Sequence, residues 1–340
     1  MTRLLRCALI ALASAGAGVL AGAGWLAGEI ARVFAAPLVL DAPRLVTIAP
    51  GTGLEDIARQ LEAEGWISDA RLLSLRARYD GTARKVKAGT YEARPGDTLD
   101  RLLARMIAGQ TKVFHITFIE GCTFADMRRV LADAPHLRHT LRGLEPPPIM
   151  AALGITEVAA LEGQFFPDTY AYAAGTRDLE ILRRAHQRLR ELLDDLWQDR
   201  AENLPYRSPY EVLIMASIIE KETGRAEERA AIAGVFTRRL VLGMKLQTDP
   251  TVIYGLGSAF DGDLRRADLA RDTPYNTYTR SGLPPTPIAM PGGHALAAAL
   301  APAPGSALYF VAKGDGAHHF SDTLTEHNAA VRRYQLRAAR

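Results

Sequence analysis

The chain has 340 residues, of which 48% are hydrophobic and 23% are charged, so it has ordinary globular composition and room for more than one domain. The net charge of +3 is spread along the chain without a block of Lys and Arg, which excludes the pattern typical of nucleic-acid binding. The two cysteines, Cys7 and Cys122, allow neither a disulfide framework nor a zinc-binding spacing.

The N-terminal segment predicts one membrane-spanning helix. Residues 7–28 carry no charge, and as an α-helix they would extend about 33 Å, enough to cross the hydrocarbon core of a bilayer. Arg3 and Arg6 precede this stretch, which predicts that the N-terminus is cytoplasmic and the rest of the chain lies outside. A cleaved signal peptide is the alternative, but its apolar stretch is usually shorter.

The predicted organisation has five parts. They are a cytoplasmic N-terminus (1–6), a transmembrane helix (7–30), a linker (31–44), a small domain (45–110) and a large domain (111–340).

A strand, a glycine turn and an amphipathic helix are predicted three times after the linker. The turns contain Gly51, Gly96 and Gly121, because glycine adopts turn dihedrals that a side chain penalises. The predicted helix N-caps are Thr52, Asp97 and Thr123. The first two copies, within the small domain, resemble LysM modules, which bind the glycan of peptidoglycan. A packing unit that binds nothing is the alternative.

The large domain predicts helices first and irregular structure afterwards. Residues 140–155 contain three prolines and predict a loop, and residues 177–200 predict a long amphipathic helix. A second helix, apolar on every side, includes ASIIEKETG and is predicted to end at Gly224. After residue 244 the chain is rich in Thr, Tyr, Asn, Pro and Gly and has short strand-like segments. The predicted fold class is therefore α+β.

The apolar helix ends in two carboxylates, Glu220 and Glu222. Glu220 shares a helix face with Leu213, Ala216 and Ser217, which are expected to be buried, so we expect its carboxyl at the wall of a cleft. Loss of water there favours the protonated form that a general acid needs. Glu222 points about 200° away, so one regular helix cannot direct both carboxyls to one site. The alternative is that both carboxylates have no catalytic role and lie at an ordinary solvent-exposed helix end.

Three later stretches have the composition of sugar-binding loops. They are residues 247–255, 275–292 and 320–328, which are rich in hydroxyl, amide and aromatic side chains. Such groups hydrogen-bond to sugar hydroxyls and stack on sugar faces, and long loops of this kind are commonly functional.

Five blocks of the sequence resemble, in the same order and spacing, the endolytic murein transglycosylases, the MltG/YceG-like family. The resemblance extends over residues 40–335. The blocks are LEGQFFPDTY (161–170), ASIIEKETG (216–224), RLVLGMKLQTDPTVIYG (239–255), YNTYTRSGLPPTPIAMPG (275–292) and LYFVAKGDGAHHFSDTLTEHN (308–328).

The resemblance implies an inner-membrane lyase that faces the periplasm and cuts nascent peptidoglycan strands internally, using a lysozyme-like cleft and neither cofactor nor metal. Cell-wall synthases are the implied protein partners, and nucleic acid is not one. The catalytic Glu of the family is assigned to the first acid of the EKE segment, which falls on Glu220. The implied cleft residues are Gln247, Thr248, Asp249, Tyr275, Asn276, Thr277 and Tyr278.

Several alternatives remain open at this stage. Asp249 precedes a proline and is also a natural turn former. Glu162 could belong to the cleft or cap a helix. The chain could be a membrane-tethered glycan-binding protein or a scaffold of the cell-wall machinery without catalysis. The acid at position 220 argues against a protein that only binds.

Overall fold

The computed structural model of the protein describes residues 3–336, which form two compact units that meet between Phe114 and His115. The boundary predicted from the sequence was four residues earlier, after residue 110. The first unit contains, in chain order, α1 (Arg3–Ala35), β1 (Arg44–Ile48), α2 (Leu54–Ala63), α3 (Ala70–Tyr79), β2 (Gly89–Ala93) and α4 (Leu99–Ala108).

Helix α1 is long and apolar enough to cross a membrane over Ala13–Ala35, by length and composition. Its middle is exposed, with Leu20 at 75% and Trp25 at 71%. The helix continues to Ala35, so the prediction that a linker begins at residue 31 is wrong. The reason is that Phe34 near its end is 1% exposed and packs in the core of the first unit, which keeps the last turn helical.

The first unit is built on a two-stranded antiparallel sheet. Strands β1 and β2 pair with Val46 opposite Tyr91, and both side chains are buried. Helices α2, α3 and α4 bury their apolar stripes against the same core, which includes Ile57, Leu73 and Met106. The amphipathic spacing of the sequence therefore specified this unit.

The second unit contains the larger core and the remaining elements. In chain order they are β3 (Val113–Thr117), α5 (Phe124–Asp133), α6 (Pro146–Leu153), β4 (Thr169–Ala173), α7 (Asp178–Gln198), α8 (Pro209–Glu222), α9 (Arg229–Val241), α10 (Asp249–Leu256), α11 (Arg266–Ala270), α12 (Gly293–Leu300), β5 (Tyr309–Ala312), β6 (His318–Ser321) and α13 (Leu324–Val331). Strand β3 pairs with β4, and β5 pairs antiparallel with β6. This mixed helix and strand architecture is the α+β class that the sequence predicted.

The glycine turns and one cap follow the sequence prediction. Gly51, Gly96 and Gly121 have φ of 85°, 84° and 75°, a region that glycine adopts without strain. Thr123 caps α5 in a capping box, in which its hydroxyl accepts from the amide of Asp126 at 3.2 Å.

The other two predicted caps are wrong by one residue. Helix α2 is preceded by Gly53 rather than Thr52, and α4 is capped by the Thr98 hydroxyl rather than Asp97. Asp97 instead pairs with Arg105 at 2.5 Å, an ion pair that keeps it from the capping position.

Two segments predicted as loops are helical. Residues 146–153 form α6, because its prolines lie in the first turn, where a missing N–H breaks no helical hydrogen bond. Residues 249–256 form α10, with Pro250 again in the first turn. Proline was therefore misread as a helix breaker where it begins a helix.

Helix α8 lies at the centre of the second core. All eight residues from 212 to 219 are buried, and they pack with side chains of α7, α9 and α12. Burial of each large apolar side chain contributes about 1.5–3 kcal/mol. The helix ends at Glu222, because Thr223 is extended, with φ of −145°. Gly224 follows the C-cap Thr223 directly, which is the position where the sequence predicted the helix to stop.

A buried hydroxyl joins α8 to the segment that precedes α12. The Ser217 side chain is 0% exposed; it donates to the carbonyl of Ile214 and accepts from the amide of Ile288 at 3.0 Å. No other partner for this amide is recorded among residues 3–336.

Replacing Ser217 with Ala is expected to lower the free energy of unfolding by about 1–3 kcal/mol, because the buried Ile288 amide loses its acceptor. Pulse proteolysis of the full-length protein in urea measures the change. The exposed Ser258 provides a matched control, and Ser258→Ala should stay within about 0.5 kcal/mol. Equal stability of the two variants would show that the bond to Ile288 contributes nothing.

Candidate active site

The two carboxylates at the end of α8 lie in different surroundings. They are two positions apart, so their side chains leave the helix about 200° from each other. Glu220 faces α9 and the segment before α12, whereas Glu222 faces a cavity of about 510 Å³. The angular separation expected from the sequence is therefore present.

Glu220 is 6% exposed at its side chain and is engaged at both carboxyl oxygens. Arg229 Nη2 lies 3.1 Å from Oε1, and the backbone amide of Gly292 donates to Oε2 at 2.9 Å. Arg229 also lies 3.9 Å from the carboxylate of Glu120. Glu220 thus joins three segments of the second unit, and it is not among the residues that line the cavity.

Glu222 is half-buried at the edge of the cavity and accepts a hydrogen bond from the hydroxyl of Thr248. Burial raises the pKa of its carboxyl from 4.5 to about 7. The hydrogen bond from Thr248 opposes this rise, and the nearby carboxylate of Asp249 adds to it. Glu222 therefore has a proton to donate near neutral pH, as a general acid requires.

Four of the seven cleft residues predicted from the sequence line this cavity with Glu222. They are Gln247, Thr248, Asp249 and Tyr278. Thr248 and Asp249 lie there because α10 begins at this point. Gln247 has φ of 51°, a left-handed conformation that non-glycine residues rarely adopt, and its amide donates to the carbonyl of Thr277. The Tyr278 hydroxyl donates to Asp249 Oδ1 at 2.5 Å.

The other three predicted cleft residues are not among the residues that line the cavity. Asn276 is fully buried and donates through Nδ2 to backbone carbonyls, at 2.7 Å for that of Arg271. The Thr277 hydroxyl accepts from the amide of Thr248 at 3.0 Å. The hydroxyl of Tyr275 lies 2.8 Å from that of Thr286. These contacts hold the backbone that presents the lining residues.

The lining also includes residues outside the predicted cleft set, and four of them have arginine, tyrosine or histidine side chains. They are Arg239, Tyr309, His318 and His327. Arg239 is buried and donates hydrogen bonds to backbone carbonyls. Its guanidinium group lies 5.0 Å from the centre of the Tyr309 ring, and the ring of His327 stacks on Tyr309 with a centroid distance of 5.3 Å. Three of them belong to the block at 308–328, whose aromatic and histidine content was the available signal.

Glu162 caps a helix, which is one of the two roles that the sequence left open. It is buried, and its Oε1 accepts from the amide of Phe124, the first residue of α5, at 2.9 Å. The Tyr254 hydroxyl donates to Oε2 at 3.1 Å. Burial raises the pKa of this carboxyl to about 7 as well. Glu162 is not among the residues that line the cavity of Glu222.

Within residues 3–336, no three His, Cys, Asp or Glu side chains are grouped as the ligands of a metal ion would be.

Raising the pH through the range from about 4.5 to about 7 is expected to lower the free energy of unfolding, because Glu222 and Glu162 keep protons in the fold that the unfolded chain has released. Their stabilising contribution is complete below pH 4.5 and is lost as the pH rises through about 7. Glu222→Gln should flatten the profile by up to about 1.4 kcal/mol per pH unit.

The measurement is urea unfolding of the full-length protein at a series of pH values. Glu157 is an exposed carboxylate without a hydrogen bond among the described residues, so Glu157→Gln is the matched control and should keep the wild-type profile. A Glu222→Gln profile as steep as the wild type would contradict the raised pKa of Glu222.

Comparison with known proteins places this chain in a family. The model of the YceG-like family matches residues 46–333. The endolytic murein transglycosylase of Bacillus subtilis is 32% identical over 306 residues, which cover 85% of this chain and 84% of that protein. That of Streptococcus pneumoniae is 25% identical, and the match spans 59% of its longer sequence.

A solved structure shares the fold. The crystal structure of a yceG-like protein from Listeria monocytogenes aligns with a TM-score of 0.54 and 32% identity, covering 84% of this chain and 98% of that one. The family model and the Bacillus relative each match most of the chain. The chain therefore belongs to the YceG-like family.

Proposed function

We propose that the protein is an endolytic peptidoglycan lytic transglycosylase. It cleaves the β-1,4 bond between N-acetylmuramic acid and N-acetylglucosamine within nascent strands, leaves 1,6-anhydro-muramoyl ends and so terminates strand elongation. Family membership and the names of the relatives support this activity. The observation that carries the proposal is the Glu222 carboxyl, with a pKa of about 7, at the edge of a cavity lined by polar and aromatic side chains.

The geometry favours Glu222 over Glu220 as the acid. The sequence predicted Glu220, but Arg229 and the Gly292 amide both donate to that carboxylate, and the known lining of the cavity does not include it. Among residues 3–336, the Thr248 hydroxyl is the one donor to Glu222, whose carboxyl faces the space that a sugar would occupy. Glu220 remains a prediction that a direct comparison of the two variants will decide.

One carboxyl suffices for the chemistry. Glu222 gives its proton to the glycosidic oxygen as the bond from C1 to that oxygen breaks. The resulting carboxylate takes the proton of the muramoyl C6 hydroxyl as O6 bonds to C1, so the acid is restored and no water is consumed. A hydrolase needs a second carboxyl at a set separation. An internal nucleophile removes that need through proximity.

The lining residues support the charge that develops at C1. The Asp249 carboxylate lies on the cavity and is held by the Tyr278 hydroxyl, so its negative charge is fixed in place. A fixed negative charge stabilises an oxocarbenium-like transition state. Gln247 offers an amide for sugar hydroxyls.

The proposal includes a location and partners. Helix α1 anchors the protein in the inner membrane as a single span, with its N-terminus in the cytoplasm and the catalytic unit in the periplasm, in agreement with the Arg residues that precede the span. Peptidoglycan strands are the substrate, and cell-wall synthases that make them are the expected partners. Glycan binding by the LysM-like first unit stays a prediction.

Glu222→Gln is expected to reduce the formation of anhydro ends by about 100-fold or more, because general acid–base catalysis contributes about 10²–10⁴-fold. Glu220→Gln should retain more activity, since it changes a buried ion pair rather than the acid. Purified nascent strands are digested by each full-length variant, and the ends are identified by mass spectrometry.

The opposite ranking, with Glu220→Gln inactive and Glu222→Gln active, would restore the assignment made from the sequence. Digestion in water labelled with oxygen-18 should leave the products unlabelled, and labelled reducing ends would make the protein a hydrolase. A wild-type protein that binds strands without cutting them would favour the binding or scaffold alternative.

Alkaline phosphatase fused after the last residue is expected to be active in cells, because that end lies in the periplasm. Green fluorescent protein fused before the first residue should fluoresce and stay on the full-length chain. Loss of the N-terminal fusion from the mature protein would identify a cleaved signal peptide, and inactive phosphatase would contradict the orientation.

A further inference from the structure

A second cavity, of about 230 Å³, lies beside α5 and the segment that follows it. None of its lining residues lines the cavity of Glu222. Its walls carry Arg128, Arg142 and His139, and its apolar part is formed by Leu131 and Leu141, both buried. The combination of guanidinium groups and a small apolar surface indicates a ligand with both an anionic and an apolar part.

The cavity has a local excess of positive charge, and part of it is unpaired. Its lining contains three Arg and one Asp, a net charge of +2 with His139 counted as neutral. Arg129 pairs with Asp126. Arg128 and Arg142 have no ion pair within the described part of the chain.

The one acid that lines the cavity is already occupied. Asp178 is 2% exposed, and its carboxylate accepts from the amides of Thr140 at 2.9 Å, Leu141 at 3.0 Å and Leu179 at 2.8 Å. These bonds use its negative charge to hold the backbone, so the guanidinium groups of the cavity remain available to a ligand.

The same bonds fix the shape of the cavity. Asp178 pins residues 140–141 to the start of α7, and the amide of Arg138 donates to the carbonyl of Thr176 at 2.8 Å. His139 and Arg142 therefore come from a segment whose backbone is tied down, while Arg128 comes from α5. A binding site formed in advance loses less entropy when the ligand binds.

We propose that this cavity binds a carboxylate of the peptides that branch from the muramoyl sugars of the substrate. This inference rests on the proposed function, because it takes peptidoglycan as the substrate. Guanidinium groups bind carboxylates with strong, directional hydrogen bonds. Leu131 and Leu141 provide contact for the methyl group of an alanine, which a bare phosphate lacks. The concave shape suits the end of a peptide better than a flat lipid surface.

The consequence for the reaction is a second point of attachment. A strand held by its peptide at this cavity and by its sugars at Glu222 is restrained at two places, which raises its effective concentration at the catalytic site. The protein would then prefer strands that carry peptides over bare glycan.

The test measures peptide binding by the full-length protein in detergent, with a probe that contains no glycosidic bond for the protein to cut. The probe is a synthetic stem tetrapeptide with free carboxylates, and the comparison is the same peptide with its carboxylates amidated. Calorimetry is expected to show at least about tenfold weaker binding of the amidated peptide, and a similar loss for the free peptide when Arg128→Gln and Arg142→Gln are added. Arg142→Lys should recover part of the loss.

Arg207 provides the matched control, because it is exposed and its side chain has no ion pair among residues 3–336. Arg207→Gln should bind the peptide as the parent does. Equal affinity for the free and amidated peptides would overturn the proposal. So would inorganic phosphate, or vesicles of anionic lipid, that bind through Arg128 and Arg142 while the peptide does not.

Failure of this proposal is distinguishable from failure of the proposed activity. Peptide binding is measured without cutting, so it survives if Glu222 proves not to be the acid, and cutting by the wild type survives if the cavity proves to bind no peptide.

Discussion

The burial of α8 is the constraint on which the rest of the second unit depends. Eight consecutive residues of this helix are enclosed, so its rotation and position are fixed by packing on every side. Packing therefore also fixes the directions in which the two carboxylates of its last turn point. Because the helix is held rigidly, Glu220 contacts Arg229 and the amide of Gly292, and Glu222 faces the cavity.

The residues of this site fall into two groups. The first group lines the cavity and, in the proposed mechanism, contacts the substrate; it includes Gln247, Asp249 and Tyr278. The second group binds the backbone through its side chains, and Asn276 and Thr277 are its clearest members. A polar lining stays in place only when buried hydrogen bonds hold the segments that present it. The composition of the YNTY block therefore serves support as much as contact.

The sequence was sufficient for the clearest local patterns, although two caps and the prolines that begin α6 and α10 were misread. Apolar periodicity predicted α7, an uninterrupted apolar run predicted α8, and the need for positive φ predicted the turns at Gly51 and Gly96. It was insufficient where distant residues decide. The choice between Glu220 and Glu222 depends on which side of α8 is filled, and that side is filled by Arg229 and by Gly292, which is 72 residues away. Helical phase gives the angle between two side chains but not the identity of their surroundings.

In the proposed mechanism Glu222 gives a proton and then accepts one, and this requirement limits its pKa from both sides. A carboxyl of ordinary acidity would arrive at the reaction already ionised near neutral pH, and one that is much weaker would give up its proton too slowly. Burial and the Asp249 carboxylate raise the pKa of Glu222, while the Thr248 hydroxyl, His318 and Arg239 lower it, and the balance lies at about 7. Each of these opposing groups lines the cavity. A substrate that displaces water from the cavity would lower the local dielectric constant, which would strengthen all of these electrostatic interactions. The acidity of Glu222 is therefore a property of the whole lining, and replacing any one charged wall residue should alter the pH at which the site works as well as its affinity for sugar.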